Sequence, residues 1–568
     1  MISRWKLMAR AMAVILVFLA FSATSWCRDA SPPSQAKRVP LVFPTSGPAS
    51  AQKTFLTGVE LLHNFEYEDA VKTFSDVIKA QPDFAMAYWG LAMSYNHPLW
   101  GEQDLESARH ALADLDKAPA TNLTPREKGF IAAVRLLYGD GDKAKRDTAY
   151  MEAMHQLYVQ YPNDDEVASF YGLAILGTKA ENENFLVNVK ASDVLERVYS
   201  RNPNHPGVLH YLVHCYDDPR YASLGREAAD RYGAVAPDSA HALHMPSHIY
   251  LDLGMWKEFV HVNEASWAAS LDRVRRNNLG PGGYDIHGLH TLQWLEYGYL
   301  QQGQIAKAMD SLKTMAKIYA VNPDPMVKWY FAMMRASYIV NAPNWQDVGT
   351  SADLKGIESI DLQGVELTAP ANSVFATGLA AVRQKRPQQV RQAIGDIGEF
   401  IKKTQHATQD DAGKADTGHH HDSFFTSSYA ASIKPAQVMQ AQLEALQLLA
   451  DGKVEDAISQ LQAAVGDEEK LPVGYGPPAP VKPSAELLGE VYLRAGHPQS
   501  AMRAFQWALL RYPKRAASLV GLSEAARLAG DRETAAKAEE ELGGMQHGVT
   551  GRFQAWKQLP CSTCSAAN

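Results

Sequence analysis

AQKTFLTGVELLHNFEYEDAVKTFSDVIKAQPDF, residues 51–84, carries Gly58, Ala70, Phe74 and Pro82 at intervals of 12, 4 and 8. Far along the chain, KPSAELLGEVYLRAGHPQSAMRAFQWALLRYPKR, residues 482–515, carries Gly489, Ala501, Phe505 and Pro513 at the same three intervals. Each window is 34 residues long. The residue types suit a pair of antiparallel helices. Small residues let the two rods approach, the aromatic fills their seam, and the proline stops the second helix. No run of alternating strand residues competes with this pattern, so the fold class expected is all-α.

A 34-residue period is that of the tetratricopeptide repeat. Weaker copies surround the two clear ones. Residues 446–465 keep Gly452 and Ala457, residues 290–312 keep Tyr299, Gly303 and Ala308, and residues 518–542 keep Ala526, Gly530 and Ala535. The architecture predicted is a tetratricopeptide-like helical-repeat superhelix, an α-solenoid. The expected division is an N-terminal array over 51–325 with histidine-rich helices, a helical connecting segment over 326–403, and C-terminal repeats over 431–548. Between the last two, 404–430 reads as a polar loop containing His419, His420 and His421, and 549–568 is a tail with a Cys-x-x-Cys pair.

The N-terminus has another origin. Arg4, Lys6 and Arg10 precede the apolar run AMAVILVFLAF (11–21) and the small residues SATS (22–25), the layout of a secretory signal peptide. Residues 1–26 are read as that signal, and 27–50, rich in Pro, Ser and Ala, as a flexible leader. The run is short for a membrane span, so the expectation is an exported chain, periplasmic or secreted, with no span after cleavage; a membrane anchor is the alternative. Removing the signal takes three positive charges from a chain of net charge −8, and no long basic run exists, so nucleic acid is not an expected partner. With four cysteines in 568 residues there is no disulfide framework, although Cys561 and Cys564 are close enough to pair.

AMAYWGLAMSYNHPLW (85–100), YPNDDEVASFYGLAIL (161–176), HPGVLHYLVHCYDDPRYA (205–222), HALHMPSHIYLDLGMW (241–256) and YGPPAPVKPSAELLGEVYL (475–493) are distinctive beyond the repeat pattern. Together they resemble a family of exported bacterial tetratricopeptide-repeat proteins, over most of residues 51–540. The resemblance implies a repeat fold and export, and brings no established activity with it.

Histidines are the unusual chemistry. On an α-helix His241, His244 and His248 share one stripe provided the helix continues through Pro246, His210 and His214 share a face, and so do His287 and His290. These lie on the first helices of successive pairs, which line the concave side of a tetratricopeptide solenoid. His241 and His248 are separated by about 10.5 Å of helix rise, too far to bind one ion together. A single-ion site therefore takes an i,i+3 or i,i+4 pair from one helix and a further ligand from a neighbour. Imidazoles with carboxylates such as Asp217 or Asp218 suit Zn, Fe or Cu better than Ca or Mg. HYLVH (210–214) has zinc-protease spacing, but Tyr211 stands where the general base belongs, so that class is excluded. The plain alternative is that the imidazoles hydrogen-bond backbone carbonyls inside the repeats.

Other chemistry is sparse: there is no phosphate loop and no nucleophile elbow. Asp164, Asp165 and Glu166 read as acids opening a helix. The resulting reading is an exported scaffold binding a protein or peptide in its concave groove, with His97, Trp100, Tyr211, Asp217 and Asp218 as groove residues. The alternative is a metal-dependent enzyme or metal-binding protein using His210, His214, His241, His244, His248, His287 and His290.

Overall fold

A computed structural model describes residues 40–564 apart from 119–121, 180–184, 281, 352–353, 355–361, 363–364, 412–428, 546–553 and 563. Helices come in antiparallel pairs: α1 (Ala49–His63) with α2 (Tyr67–Ala80), α3 (Ala85–Met93) with α4 (Leu105–Lys117), α5 (Pro125–Leu137) with α6 (Lys143–Gln160), α7 (Asp165–Gly177) with α8 (Leu186–Tyr199), and α9 (Pro206–Tyr216) with α10 (Ala222–Val235). Two short helices in line, α11 (Ala240–His244) and α12 (Pro246–Asp252), pack on α13 (Trp256–Arg276), and α14 (Ile286–Gln301) packs on α15 (Ile305–Val321). Then come α16 (Pro325–Asn341), the single turn α17 (Asp347–Thr350), α18 (Thr368–Arg383) with α19 (Pro387–Asp411), α20 (Tyr429–Ala450) with α21 (Val454–Glu468), α22 (Ser484–Arg494) with α23 (Pro498–Arg511), and α24 (Ala516–Ala529) with α25 (Arg532–Gly543). The fold is all-α and tetratricopeptide-like. Among the described residues the only sheet is a two-residue antiparallel ladder, Asn96–His97 with Glu102–Gln103, between α3 and α4.

The repeated glycine and phenylalanine explain the pairing. Phe74 of α2 is wedged between Gly58 of α1 and Gly90 of α3, and Phe505 of α23 between Gly489 of α22 and Gly521 of α24. A Cβ on Gly58 would lie 2.6 Å from the Phe74 ring and one on Gly489 2.8 Å from Phe505, so no larger residue fits without moving the ring. Gly489→Ala is therefore expected to lower stability by about 1–3 kcal/mol through overpacking, read as a shift in the helical melting transition. An unchanged transition would mean the wedge is slack.

The C-terminal repeats are joined to the middle of the chain through buried charge. Arg515, before α24, is fully buried and donates to both oxygens of Glu486 (2.8 and 3.1 Å), to the Asn341 side chain (2.6 Å) and to the Tyr297 hydroxyl (3.0 Å). Lys482 bridges Glu486 and Glu490 at 2.8 and 2.6 Å. The motif KPSAELLGE thus supplies the charges that dock the C-terminal repeats on α14 and α16.

Three expected boundaries differ. Residues 40–50 are not a flexible leader: Phe43 is buried against Phe55, Trp89 and Phe130, the Ser46 amide donates to Glu127 at 2.7 Å, and α1 begins at Ala49. An aromatic in a Pro/Ser-rich stretch was enough to anchor it. The expected loop over 404–430 is helical at 404–411, where α19 continues, and at 429–430, where α20 begins. Residues 412–428, with the three consecutive histidines, lie outside the described residues, as does the expected signal at 1–26. Cys561 and Cys564 are joined as a disulfide. Among the described residues no helix is long and apolar enough to cross a membrane.

Candidate metal centre

Local sequence aims the histidines. His205 caps α9 by accepting the Val208 N–H on Nδ1 (3.3 Å), and Pro206 opens the helix at its first position. Ser239 caps α11 through the Ala242 N–H. Pro246 interrupts the hydrogen-bond ladder, yet Met245 keeps helical angles (φ −52°, ψ −37°), so α12 continues the line of α11 and the stripe survives the break. α1 packs on α9, α9 on α12, and α11 on α14, which brings all these faces together.

They form two sets. In the first, the Nε2 atoms of His214 and His241 lie 3.1 and 3.2 Å from Nε2 of His210. Tetrahedral ligation at 2.0–2.1 Å places neighbouring nitrogens about 3.3 Å apart, so the spacing suits ligands around one ion as well as N–H···N hydrogen bonds. His210 Nδ1–H donates to the His63 carbonyl (2.6 Å), which leaves its Nε2 as a bare lone pair pointing at the other two rings. Phe65 lies over the set, 4.3 Å from the His210 ring.

In the second set, one ring nitrogen from each of His244, His248 and His290 lies within 4.8 Å of the others. Each ring is held from behind. His244 Nδ1 donates to Asn263 Oδ1 (2.7 Å), whose own amide nitrogen donates to the Phe259 carbonyl and so fixes which end faces the imidazole. His248 Nδ1 donates to Asp217 (2.7 Å), and His290 Nδ1 meets the Tyr330 hydroxyl at 3.3 Å. His244 Nε2 is buried and has no hydrogen-bond partner. Trp294 closes one side at 4.4 Å from His248, and its indole lies against Gly476 of the proline-rich connector.

Burial, and then the neighbouring imidazoles, hold His210, His214, His241, His244 and His290 neutral. Burial and the other histidines push His210 and His290 down to about 3, and His214, His241 and His244 well below their ordinary value. Behind Asp217, burial and the Asp217 and Asp218 charges push Asp252 up to about 9, so it is protonated at neutral pH.

A third cluster, His63, Glu166 and His205, is different in kind. Glu166 accepts from His63 Nε2 (2.8 Å) and His205 Nε2 (3.2 Å); the remaining nitrogens accept from the Tyr211 hydroxyl (2.8 Å) and the Val208 amide. Burial opposes ionisation of Glu166, but the two imidazoles outweigh it and hold its carboxyl below the usual range. Every ring nitrogen has a partner, so this is a core network.

Of the other expected site residues, Asp217 stands behind His248. Tyr211 does not face a groove; it is fully buried against His63 because its ring fills the seam between α1 and α9. Asp218 accepts from the Arg220 guanidinium (2.8 and 2.6 Å) and braces the turn after α9. His97 stacks on Tyr67, 4.0 Å between centroids, and binds Glu102; Trp100 stands 6.1 Å from His241 and 6.3 Å from His287. His287 lies beside His241, 4.7 Å between rings, outside both sets. Asp164 caps α7. Sequence reasoning missed Asn263, Tyr330, Phe65 and Trp294: the first two stand in no motif, and the other two lie in repeat copies where an aromatic reads as core.

Residues 487–543, spanning α22 to α25, match the model of the tetratricopeptide repeat family. No curated protein matches the chain. Among solved structures, the human IFIT1 dimer with m7Gppp-AAAA is 13% identical, over 85% of this chain and 94% of that one, with a TM-score of 0.32. Yeast Tom70 is 13% identical over 89% and 94%, with a TM-score of 0.29, and the P58(IPK) TPR domain 12% over 90% and 98%, with a TM-score of 0.19. Superpositions this loose carry no argument about the site. The last helix pairs thus match the tetratricopeptide repeat, and the paired helices that precede them share its fold.

Proposed function

We propose that this repeat scaffold is a metalloprotein that holds transition-metal ions at His244, His248 and His290 and at His210, His214 and His241. The observation that carries the reading is His244 Nε2: a lone pair, buried, unpartnered, and turned toward two more imidazoles. A buried acceptor without a donor is costly, and converging lone pairs repel unless a cation lies between them. Imidazole donors suit Zn, Cu and related ions, and neither set holds the carboxylate of the two-histidine, one-carboxylate iron site. Three protein ligands leave a coordination position open, as catalytic sites do. The groove expected to take a peptide is filled at this point by buried rings, which favours an ion over a chain segment.

Elemental analysis of protein purified without a polyhistidine tag tests the reading. Two ions per chain are expected, and one in His244→Ala; a wild type that takes up none from zinc or copper buffers ends it. Asp217→Asn keeps the shape of the group behind His248 but removes its charge, and is expected to weaken the second set 10–100-fold in a competition titration. Equal affinity would mean that Asp217 does not tune the ligand.

Export belongs to the same proposal. The N-terminal layout supports it, and so does the Cys561–Cys564 disulfide, which persists in oxidising compartments. Mass spectrometry of the protein from its native source is expected to find a mature chain beginning between about residues 23 and 28. An intact Met1 in the cytoplasmic fraction would refute it.

A further inference from the structure

The two histidine sets adjoin, and we infer that they form one centre for a pair of copper ions that binds dioxygen between them. The inference rests on the metal-binding reading above and adds the identity of the ion and of the small molecule.

Adjacency comes from three helices at once. His241 serves the first set and His244 the second, less than one turn of about 5.4 Å apart on the same rod. The His214 ring of the first set is 6.1 Å from the His248 ring of the second. On α14, His287 lies against His241 and His290 against His244, each 4.7 Å between ring centroids. Two ions held by these rings therefore stand within about one helical turn of each other, close enough for a two-atom bridge.

Charge then selects the ion. All six ligands are imidazoles, with no carboxylate among them. Asp217 stands behind His248, and Glu66 lies 3.9 Å from His287, which belongs to neither set. Phe65, Trp100 and Trp294 stand against these rings. At one spacing, two divalent ions repel four times as strongly as two monovalent ones. Cuprous copper is the monovalent ion that imidazole binds well. Each cuprous ion is left with an open position by its three ligands.

Dioxygen completes the balance. One electron leaves each Cu(I), both enter O2, and the product is peroxide bridging two Cu(II). The centre carries +2 before, as two Cu(I), and +2 after, as two Cu(II) with a dianion, so oxidation adds no charge to the buried site. No other reductant or proton is needed, and loss of O2 reverses the step.

The test uses the full chain, treated with chelator, loaded with Cu(I) without air and then exposed to it. Two copper ions per chain are expected. On aeration a near-ultraviolet peroxide-to-copper band appears while the Cu(II) electron-spin signal stays small, because the two spins couple; removing oxygen abolishes the band. His214→Ala and His248→Ala should each keep one copper yet lose the band more than tenfold, with His214→Asn and His248→Asn as second variants should either alanine chain lose its helical signal. Two full-strength Cu(II) signals without the band would mean separate ions and overturn the inference. A chain that binds two zinc ions but no Cu(I) also overturns it and leaves the metal-binding reading standing. A chain that binds neither defeats both.

Discussion

Lowering the pH of chelator-treated protein from 7 to 5 is expected to cost about 2 kcal/mol for each imidazole that the fold holds neutral down to pH 3. His210 and His290 are pushed down to about 3, and His63, His214, His241 and His244 are also lowered, in every case chiefly by burial. The unfolded chain takes up protons near pH 6.5, the folded chain much lower. Between those values the unfolded state binds more protons, so stability rises with pH and is lost as pH falls below 6.5. His210 and His290 alone imply about 4 kcal/mol at pH 5, a large part of a normal stability margin. Glu166 is also lowered, but by its two imidazoles, which outweigh the opposing effect of burial. Its contribution is present above its unfolded value and falls away only below about pH 4.3. Urea midpoints at pH 7 and 5 measure the loss. Bound metal should raise the stability at both values, since protons must then displace an ion. Midpoints that do not move on acidification would mean that the rings take up protons in the folded chain.

Replacing Arg515 with Met is expected to cost about 3–5 kcal/mol, the range for breaking a buried pair from one side. The side chain is 1% exposed and no water can take its place beside Glu486. Lys482 remains, but it is shared with Glu490, so two carboxylates would then face one buried cation. Burial opposes ionisation of Glu486, yet Arg515 and Lys482 outweigh it and hold its carboxyl below the usual range; losing the guanidinium removes the larger of those two attractions. The bonds to Tyr297 and Asn341 go as well, which loosens the C-terminal repeats from α14 and α16. Guanidinium unfolding of Arg515→Met, Glu486→Gln and the double variant separates the pair from its surroundings. The double variant should be more stable than Arg515→Met alone. A single variant within 1 kcal/mol of wild type would show that Glu486 finds other compensation.

The repeat was legible because its signal is local: a glycine, an alanine, a phenylalanine and a proline at fixed intervals state which surfaces must meet. Helix periodicity likewise placed His210 with His214 and His244 with His248, and the rise per residue kept His241 and His248 from one ion. What periodicity cannot state is which neighbouring helix completes a set. Only the packing of α9 on α12 and of α11 on α14 assigns His241 to the first set and His290 to the second. Tyr211 is expected to line the groove, yet α1 covers its side of α9. Asn263 and Tyr330 have no signal at all, since each matters for one atom aimed across a helix interface.

The contact of Gly476 with Trp294 has a consequence in time. The chain emerges N-terminus first, and both histidine sets exist once His290 has appeared. The connector that lies against Trp294 arrives long afterwards, behind α16 to α21. For that interval the second set has one wall missing. Under the metal-binding proposal, an ion would be captured by a half-made protein and walled in by the half that follows, so the order of synthesis would double as an order of loading.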